Sequence, residues 1–502
     1  MSKMKSLVAV AVAAGLLLTG VAPSHAAGKT LTLGSVSEPT SFAAAQGEYG
    51  NRAWFYQAVY DTLMHRNADG TVTPNVATKW SYNQTNTVLT LQLKSGIKFT
   101  DGTALDAKAV VANINANRDS KGPGATLLSS VSKATAQGAS TVILSLNAPD
   151  PSLTESLSGT AGLLESPKAI GTAAEKTTPV GSGPYILDKT KTQIGSVYTF
   201  KQNPGYWNKK GWTYSTLVIK YIKDSTAMVN ALQTGAVQGA NVATNSAVPT
   251  LKAAGLNTVS SYLDGLGIYF ADRNGKTVPA LKDVRVRQAI EMAFDREAML
   301  KTIDAGYGMA TTQMFPKGSA GYVASLDNAY PYDLAKAKSL MAAAGYANGF
   351  SMSMPTLSFY FGTAAYAVIK AQLAAINITV KEEPQTGATF IGDLLASKWP
   401  AYLMQFERSA NAWTLINFII APNSIFNSDH YTDATSAGLI AKIQSGGNTP
   451  AGVKAQQALN TYLVDNAWFV PFYAKQANFA FKGINVASAQ AGNVIPFLWN
   501  IH

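Results

Sequence analysis

Residues 59–115 read VYDTLMHRNADGTVTPNVATKWSYNQTNTVLTLQLKSGIKFTDGTALDAKAVVANIN, and this stretch decides the fold. An Asp-Gly turn at residues 69–70 separates two apolar runs, which is a strong signal for a tight turn between strands. Leu89, Leu91 and Leu93 then alternate with polar residues, and a period of two is typical of a half-buried strand. The first part of the stretch therefore predicts two strands.

The second part of the stretch predicts a helix. Turns at residues 95–96 and 99–102 follow the alternating strand. Asp106 then precedes an alanine-rich run at residues 107–112, and an aspartate there can accept the free N–H groups at a helix start. Strand-like segments also alternate with helical ones along the rest of the chain, which predicts a mixed α/β fold. Those strand-like segments are residues 30–34, 141–146, 196–201 and 217–221.

A later helix is predicted from Asp283, which is placed to cap it. Apolar residues recur at helical spacing from Val286 onward and form one stripe that should face a core. We expect the charged residues between them, Arg285, Arg287 and Glu291, to face outward.

Several motifs in a fixed order resemble those of the extracytoplasmic solute-binding proteins of ABC importers, in the peptide/nickel branch, family 5. Residues 179–185, PVGSGPY, are similar to the family's GTGPY element, and residues 203–207, NPGYW, are similar to its NPxYW element. Residues 284–290, VRVRQAI, with the following Asp295-Arg296, resemble a third signature. We expect these elements to be scaffold. The matching residues of the first stretch are Tyr60-Asp61-Thr62-Leu63, Asp69-Gly70, Pro74, Trp80, Leu93-Lys94, Phe99 and Asp101-Gly102.

The resemblance implies an α/β fold of the two-lobe periplasmic-binding-protein kind, type II and similar to its large cluster C. Mixed sheets flanked by helices would form each lobe, and two hinge strands, at residues 263–270 and 471–481, would join the lobes. The implied domains are a signal peptide at residues 1–26, lobe I at 27–263 with an approximate subdomain at 60–175, lobe II at 264–475, and a return to lobe I at 476–502.

The resemblance also implies a function. A periplasmic receptor of this family closes by hinge motion over a small-molecule solute and delivers it to an ABC permease in the inner membrane. Binding of this kind needs no covalent chemistry, so we expect no catalytic residue and no cofactor. We also expect a monomer. We expect no binding to nucleic acid, because the formal net charge of +11 is spread along the chain and the longest Lys/Arg runs are pairs such as Lys209-Lys210.

Residues 1–26 predict secretion. Lys3 and Lys5 give a basic start, residues 6–18 form an apolar core, and Ser24-His25-Ala26 is a small-residue cleavage pattern. The sequence contains no cysteine, which excludes disulfides and the acylated cysteine of a lipoprotein. We therefore expect a soluble periplasmic protein without a lipid anchor.

Motifs of enzymes are incomplete in this chain. Gly275-Lys276-Thr277 matches the end of a phosphate-binding loop, but Phe270 stands where that loop requires its first glycine. Residues 130–133 match S-x-x-K without the partner motifs of serine acylases. A secreted hydrolase on the same scaffold is the alternative from a different class, and turnover of a bound solute would favour it.

A metal site is not predicted either. Only His65, His430 and His502 follow the signal peptide, at unrelated positions and with no cysteine to join them. His430 is the best candidate of the three, because its segment, residues 427–431, has a family counterpart that approaches the cleft.

Residues 405–413, QFERSANAW, should decide the class of ligand. Peptide-binding relatives carry a D-x-x-D-P element here, whose carboxylate pairs with the peptide's α-ammonium group, whereas this segment contains no aspartate. Arg408 can instead bind a carboxylate or phosphate with two parallel hydrogen bonds, and Trp413 offers a flat apolar surface. We therefore predict a ligand that is anionic, aromatic or sugar-like rather than a free peptide, with Asn411 as a further contact.

Further ligand contacts are predicted at Tyr49, Tyr360 and Phe361, with Glu48 as the partner of any cationic group on the solute. Three alternatives stay open. Arg408 can pair with Glu407 or face solvent, Trp413 can be a core residue, and the protein can be an oligopeptide- or dipeptide-binding receptor with non-standard anchors.

Overall fold

The computed structural model describes residues 29–487 and 493–502, and the expected signal peptide, residues 1–26, lies outside them. None of the helices in this part of the chain is both long and apolar enough to cross a membrane. The strands, numbered in chain order, are β1 (Thr30–Ser35), β2 (Met64–Arg66), β3 (Val72–Pro74), β4 (Ala77–Tyr82), β5 (Val88–Leu93), β6 (Val131–Gln137), β7 (Thr141–Leu146), β8 (Tyr185–Leu187), β9 (Val197–Gln202), β10 (Thr216–Tyr221), β11 (Gly239–Val242), β12 (Asn257–Ser261), β13 (Asp264–Phe270), β14 (Gly308–Ala310), β15 (Phe350–Thr356), β16 (Ile378–Pro384), β17 (Ala401–Glu407), β18 (Phe469–Lys475) and β19 (Ala477–Phe481).

Helices alternate with these strands, as the sequence predicts for an α/β fold. Asp106 caps the helix of the opening stretch as predicted, because its Oδ1 accepts a hydrogen bond from the N–H of Ala109 at 3.0 Å. The α-helices are α1 (Ala53–Val59), α2 (Ala107–Arg118), α3 (Pro123–Leu127), α4 (Leu153–Ser156), α5 (Ser225–Gln233), α6 (Val248–Ala253), α7 (Val284–Met292), α8 (Arg296–Asp304), α9 (Leu334–Ala343), α10 (Ser358–Phe361), α11 (Thr363–Ala374), α12 (Gly387–Leu395), α13 (Ala412–Leu415), α14 (Ala434–Gly446) and α15 (Pro450–Asp465).

Lobe I is built on a seven-stranded mixed sheet with the order β12-β19-β11-β1-β10-β9-β8. Its central strand β1 is parallel to both β10 and β11, and the outer neighbours are antiparallel. A separate antiparallel sheet, β4-β5-β7-β6, takes β4 and β5 from the stretch that decides the fold, and α2 lies against it. Each sheet has its own cluster of buried apolar side chains.

Lobe II is built on a four-stranded antiparallel sheet with the order β14-β18-β13-β17, beside the parallel pair β15-β16. Side chains alternate along β13, as the period of a strand requires. Leu266 and Ile268 face one apolar core with α7, whereas Tyr269 faces a second core with Phe406 and Trp413. Both faces of this sheet are therefore covered.

The chain changes sheets at two places that lie side by side. β12 belongs to the lobe I sheet and β13 to the lobe II sheet, and β18 and β19 are divided in the same way at Gln476. The Tyr262 hydroxyl donates a hydrogen bond to Oε1 of Gln476 at 3.1 Å and so joins the two crossings. The residue limits of the predicted domains stay a prediction.

One expectation about α7 is wrong. Arg285 is exposed as predicted, but Arg287 and Glu291 are 3% and 0% exposed. The guanidinium of Arg287 donates to the carbonyls of Leu281 and residues 466–467, and Glu291 forms a buried ion pair with Arg296. The apolar stripe identified one packed face of α7, but the helix is covered on a second face too, and polar partners there satisfy its charged groups.

Candidate functional site

The chain crossings place two carboxylates opposite each other at the hinge end of lobe II. Asp264 is the first residue of β13, Glu407 is the last of β17, and they are direct partners in the antiparallel register. Side chains of such partners project on the same face about 5 Å apart, and two like charges there destabilise the pair. The arrangement is therefore costly unless a proton or a cation reduces the repulsion.

Glu407 is exposed to water in part, but the protein around its carboxylate limits the access of solvent to it. Burial, together with the charges of Asp264 and Glu155, raises its pKa to about 7, while the charge of Arg66 opposes the shift. Glu155 and Arg66 belong to lobe I, so they act on Glu407 across the cleft. Glu407 therefore marks a place where the two lobes approach each other.

The carboxyl group of Asp264 also has a raised pKa. Burial raises the pKa of its carboxyl group, and a hydrogen bond from Nε2 of Gln405 to its Oδ2, 2.8 Å long, acts in the opposite direction. Lys475 and Arg408 also lower this pKa through their positive charges. Side chains from both neighbouring strands, β17 and β18, therefore act on the carboxyl group of Asp264.

Lobe I presents a cation to the same region. Nη1 of Arg66 lies 3.1 Å from Oε1 of Glu155, and its Nε donates to Oγ of Ser158 at 3.0 Å. A further bond from Nη2 to the carbonyl of Glu155 fixes the plane of the guanidinium. The hinge end of the cleft therefore brings together three carboxylates, Asp264, Glu407 and Glu155, with the guanidinium of Arg66.

Arg408 follows Glu407 but points to the other face of the sheet. Its side chain is 2% exposed and lies against the backbone of Gly265, where a Cβ atom would be only 2.6 Å from Cδ of Arg408. Its Nη atoms donate long hydrogen bonds of 3.3 and 3.4 Å to the carbonyls of Gln313 and Tyr262. Burial lowers its pKa to about 10. The alternative pairing of Arg408 with Glu407 is not formed, and the ligand role of Arg408 stays a prediction.

Trp413 and Asn411 lie at the start of α13. Trp413 is 7% exposed and packs in the second core of lobe II. Asn411 caps the helix, since its Oδ1 accepts from the N–H of Trp413 at 2.9 Å, and its Nδ2 reaches across to the carbonyl of Pro151 in lobe I at 3.4 Å. Asn411 is therefore at the boundary between the lobes, whereas only a small part of the Trp413 side chain is exposed.

Tyr49 and Glu48 lie in lobe I. The ring of Tyr49 is half-buried near Gly159, and burial raises the pKa of its hydroxyl, which also feels the charge of Arg66. This places Tyr49 close to the hinge-end charges. Glu48 is exposed and forms an ion pair with Arg52 one helical turn away, so its carboxylate already has a cationic partner.

Tyr360 and Phe361 lie in the short helix α10. Tyr360 is 63% exposed, and burial of its hydroxyl together with the charge of Asp264 raises the pKa of that hydroxyl. The two rings meet edge to face with centroids 4.7 Å apart, and Phe361 packs against both cores of lobe II. Among the predicted contacts, Tyr49 thus responds to the charge of Arg66 and Tyr360 to the charge of Asp264.

Sequence reasoning missed Asp264, Arg66 and Glu155 and treated Glu407 only as a partner for Arg408. A signal for Asp264 was available, because it lies at the start of the predicted hinge strand at residues 263–270. The direct opposition of Asp264 and Glu407 depends on the register of β13 with β17, which the sequence does not reveal.

Each lobe also has a concave region of its own. A cavity of about 730 Å³ in lobe II lies beside α11 and β16, and one of about 320 Å³ in lobe I is lined by residues that include Asp61, His65 and Trp499. Nδ1 of His430 is 2.7 Å from the carbonyl of Pro422. Among the residues that the structure describes, no three His, Cys, Asp or Glu side chains form a group that could hold a metal ion.

Comparison with known proteins agrees with this architecture. The family model described as bacterial extracellular solute-binding proteins, family 5 Middle, matches residues 71–419. The glutathione-binding protein GsiB of Salmonella paratyphi A is 28% identical over 304 residues, which cover 59% of this chain and 58% of GsiB. The match thus spans somewhat over half the length of this relative.

Solved structures extend the similarity to nearly the whole chain. AgaA of A. tumefaciens R10, in complex with agropinic acid, has a TM-score of 0.76 at 24% identity and covers 94% of this chain and 98% of its own. DppA of Helicobacter pylori, in complex with the peptide STSA, has a TM-score of 0.77 at 20% identity, with 95% and 98% covered. At these identities the likeness establishes the two-lobe fold, and together with the family match it leads to one conclusion: this chain belongs to the family 5 bacterial extracellular solute-binding proteins.

Proposed function

We propose that this protein is a periplasmic receptor that binds one small solute between its lobes and delivers it to the permease of an ABC importer. Secretion through residues 1–26 and a monomeric state are part of this proposal. Binding requires no covalent step, so the protein acts as a receptor rather than as an enzyme.

One observation carries the proposal. Within residues 29–487 and 493–502, the chain passes between the lobes at two adjacent crossings, near Tyr262 and at Gln476, and charged side chains of both lobes meet beside them. Rotation about two adjacent segments opens and closes the space between lobes without disturbing either sheet. A solute that contacts both lobes binds the closed form more tightly and therefore shifts the population toward it.

The class of solute is proposed from Arg408 and its surroundings. Arg408 has two long hydrogen bonds to carbonyls, and within residues 29–487 and 493–502 no carboxylate lies within 4.0 Å of its guanidinium. An anionic group on the solute would supply the missing counter-charge once the side chain moves toward the cleft. Tyr49 and Tyr360 would then contact an aromatic or sugar-like body. AgaA, which is in complex with agropinic acid, has the same fold.

A second candidate is a receptor for peptides, and the carboxylates at the hinge end favour it. Asp264 and Glu407 stand opposite each other, with Glu155 on the other lobe. An ammonium group between them would relieve their mutual repulsion and could replace the aspartates that residues 405–413 lack. GsiB is named for a peptide-like solute, glutathione, and DppA is in complex with a peptide.

A thermal-shift screen of residues 27–502 tests both candidates. Its solutes are aromatic and sugar acids, neutral sugars, glutathione, dipeptides and the same dipeptides with an acetylated amino group. A solute at a hundred times its dissociation constant adds about 2.7 kcal/mol to the free energy of unfolding and raises the melting temperature by several degrees. Solution scattering of each hit should then give a smaller radius of gyration.

The outcomes separate the candidates. Shifts by anionic non-peptides that are lost in Arg408→Ala support the first, whereas shifts by free dipeptides that are lost on acetylation and in Asp264→Asn support the second. Bound solutes that leave the scattering curve unchanged would contradict closure in either case. Chemical turnover of a bound solute would contradict the receptor proposal itself.

A further inference from the structure

The lobes also touch at a contact between backbone carbonyls and side-chain amides, and the lobe I side of this contact is a rigid loop, residues 147–153. Asp150 holds the loop together. Its Oδ1 accepts from the N–H and the hydroxyl of Ser152 at 2.9 and 2.6 Å, and its Oδ2 accepts from the hydroxyl of Ser130 at 2.6 Å. Asp150 is 7% exposed. All these bonds lie within lobe I, so the loop keeps its shape whether or not lobe II is near.

Lobe II places two side-chain amides on this loop. Nε2 of Gln444, in α14, donates to the carbonyl of Pro149 at 3.2 Å. Nδ2 of Asn411 donates to the carbonyl of Pro151 at 3.4 Å. Gly447 packs beside these bonds, since a Cβ atom built there would be 3.4 Å from Cβ of Pro151.

A third amide bond crosses the same boundary in the opposite direction. Nδ2 of Asn86, in the turn between β4 and β5 of lobe I, donates to the carbonyl of Ser445 at the end of α14 at 3.2 Å. Asn86 has a φ of +55°, the left-handed region that asparagine tolerates better than most residues. Each lobe therefore supplies both donors and acceptors to the contact.

We propose that Asn86, Gln444 and Asn411 form a neutral latch that holds the lobes together in a fraction of the molecules before any solute binds. This inference rests on the hinge closure of the proposed function and adds a device that sets how easily closure occurs. Because every donor is an uncharged amide and every acceptor a carbonyl, the latch is insensitive to pH and to salt. The closed form then exists in advance, and a solute selects it.

The latch is weak by its geometry. Its bonds are 3.2–3.4 Å long, which is at or beyond the upper end of the usual range for N–H donors. Two such bonds together change the ratio of closed to open molecules by about tenfold. An effect of this size leaves the equilibrium under the control of the solute, whereas a much stronger latch would trap the receptor closed.

Distance measurements on the ligand-free protein test the latch without knowledge of the solute. The chain has no cysteine, so Lys79→Cys in β4 and Lys338→Cys in α9 give one unique pair of labelling sites, both exposed and on different lobes. Pulsed electron-electron double resonance between spin labels at these sites resolves a short distance for the closed form and a long distance for the open form. The test variant is Asn86→Gly with Gln444→Ala, where glycine avoids strain at the positive φ. Asn411 is left intact because it also caps α13.

The matched control is Gln202→Ala with Gln457→Ala. These amides also donate to backbone carbonyls on the surface, those of Trp212 and Ala320, but each bond stays inside one lobe. We expect the ratio of short to long distances to fall about tenfold in the test variant and to stay constant in the control. An unchanged ratio in the test variant would overturn the latch, and so would a wild-type protein that gives only the long distance. The receptor proposal would survive either result if a solute still closes the lobes.

Discussion

At the scale of single residues, the charged side chain that faces the other lobe is Glu407, whereas the sequence drew attention to its neighbour Arg408. Arg408 stands out in the sequence as a cation where relatives have aspartate. In the structure it is buried on the far face of the lobe II sheet, and Glu407 faces the other lobe. Adjacent residues of a strand point in opposite directions, so one position decides which charge meets the cleft.

Glu407 should make the stability of the protein depend on pH. Its pKa in the folded state is about 7, above the value of about 4.3 for an unperturbed glutamate. Between these values the folded state binds more protons than the unfolded state, so the free energy of unfolding falls as pH rises. Glu407→Gln removes this contribution. We expect the decline between pH 5 and pH 8, measured by urea unfolding, to be shallower in the variant than in the wild type.

Other carboxyl groups with raised pKa, such as Glu165 and Glu291, are present in both proteins and therefore cancel in the comparison. Glu297→Gln, an exposed position in α8, is the control and should leave the decline unchanged. Parallel curves for wild type and Glu407→Gln would show that the carboxylate is not enclosed by the lobes in solution.

At the scale of elements, the motifs that carry the family resemblance interlock around one buried carboxylate. Asp61 accepts hydrogen bonds from the Ser182 hydroxyl at 2.7 Å, the Tyr206 hydroxyl at 3.0 Å and Nε1 of Trp207 at 2.9 Å. The first motif thereby binds the glycine-rich element and the NPGYW element together. Burial raises the pKa of Asp61 to about 6, and the three donors oppose that shift. These contacts agree with the expectation that the motifs are scaffold.

Gly183 lies at the closest approach of these elements. A Cβ atom there would be 2.5 Å from the carbonyl carbon of Val59 and 2.7 Å from the amide nitrogen of Tyr60. Backbone atoms cannot yield as a flexible side chain does, so we expect Gly183→Ala to lower the free energy of unfolding by about 3 kcal/mol or more. Chemical denaturation measures this loss.

The control is Gly438→Ala, within α14, where a Cβ atom would meet nothing within 4 Å. Alanine at an open helical position should stabilise the protein by about 0.5–1 kcal/mol. If both variants lost the same stability, close packing of the glycine-rich element on Val59 could not be the cause.

At the scale of the whole molecule, the hinge couples lobes that otherwise have separate cores. Tyr262 is 41% exposed, and its hydroxyl bond to Gln476 joins the two crossings. Tyr262→Phe should leave the free energy of unfolding within about 0.5 kcal/mol of the wild type, because the position is on the surface. It should nevertheless weaken solute binding severalfold, because the hinge loses a constraint that aligns the lobes. Calorimetric titration with a hit from the screen measures the affinity.

Tyr332→Phe provides the control, since Tyr332 is 49% exposed in lobe II and far along the chain from either crossing. Its affinity should equal that of the wild type. If Tyr262→Phe also bound the solute with wild-type affinity, the hydrogen bond of the Tyr262 hydroxyl would have no role in closure.

The sequence alone determined the class of fold, the caps of several helices and the scaffold motifs, because these depend on residues close together in the chain. Periodicity identified β5 in the opening stretch, and Asp106 caps α2 as its position predicts. The order of motifs indicated the family, which the family model supports over residues 71–419.

Only the tertiary structure decided which polar groups meet. The burial of Arg287 and Glu291 follows from packing on a second face of α7, and the pairing of Asp264 with Glu407 follows from the register of two strands that are far apart in sequence. The contact of Gln444 with Pro149 likewise joins residues of different lobes. Local patterns carry no information about such pairs, because the free energy of each contact depends on a neighbour that only the folded chain supplies.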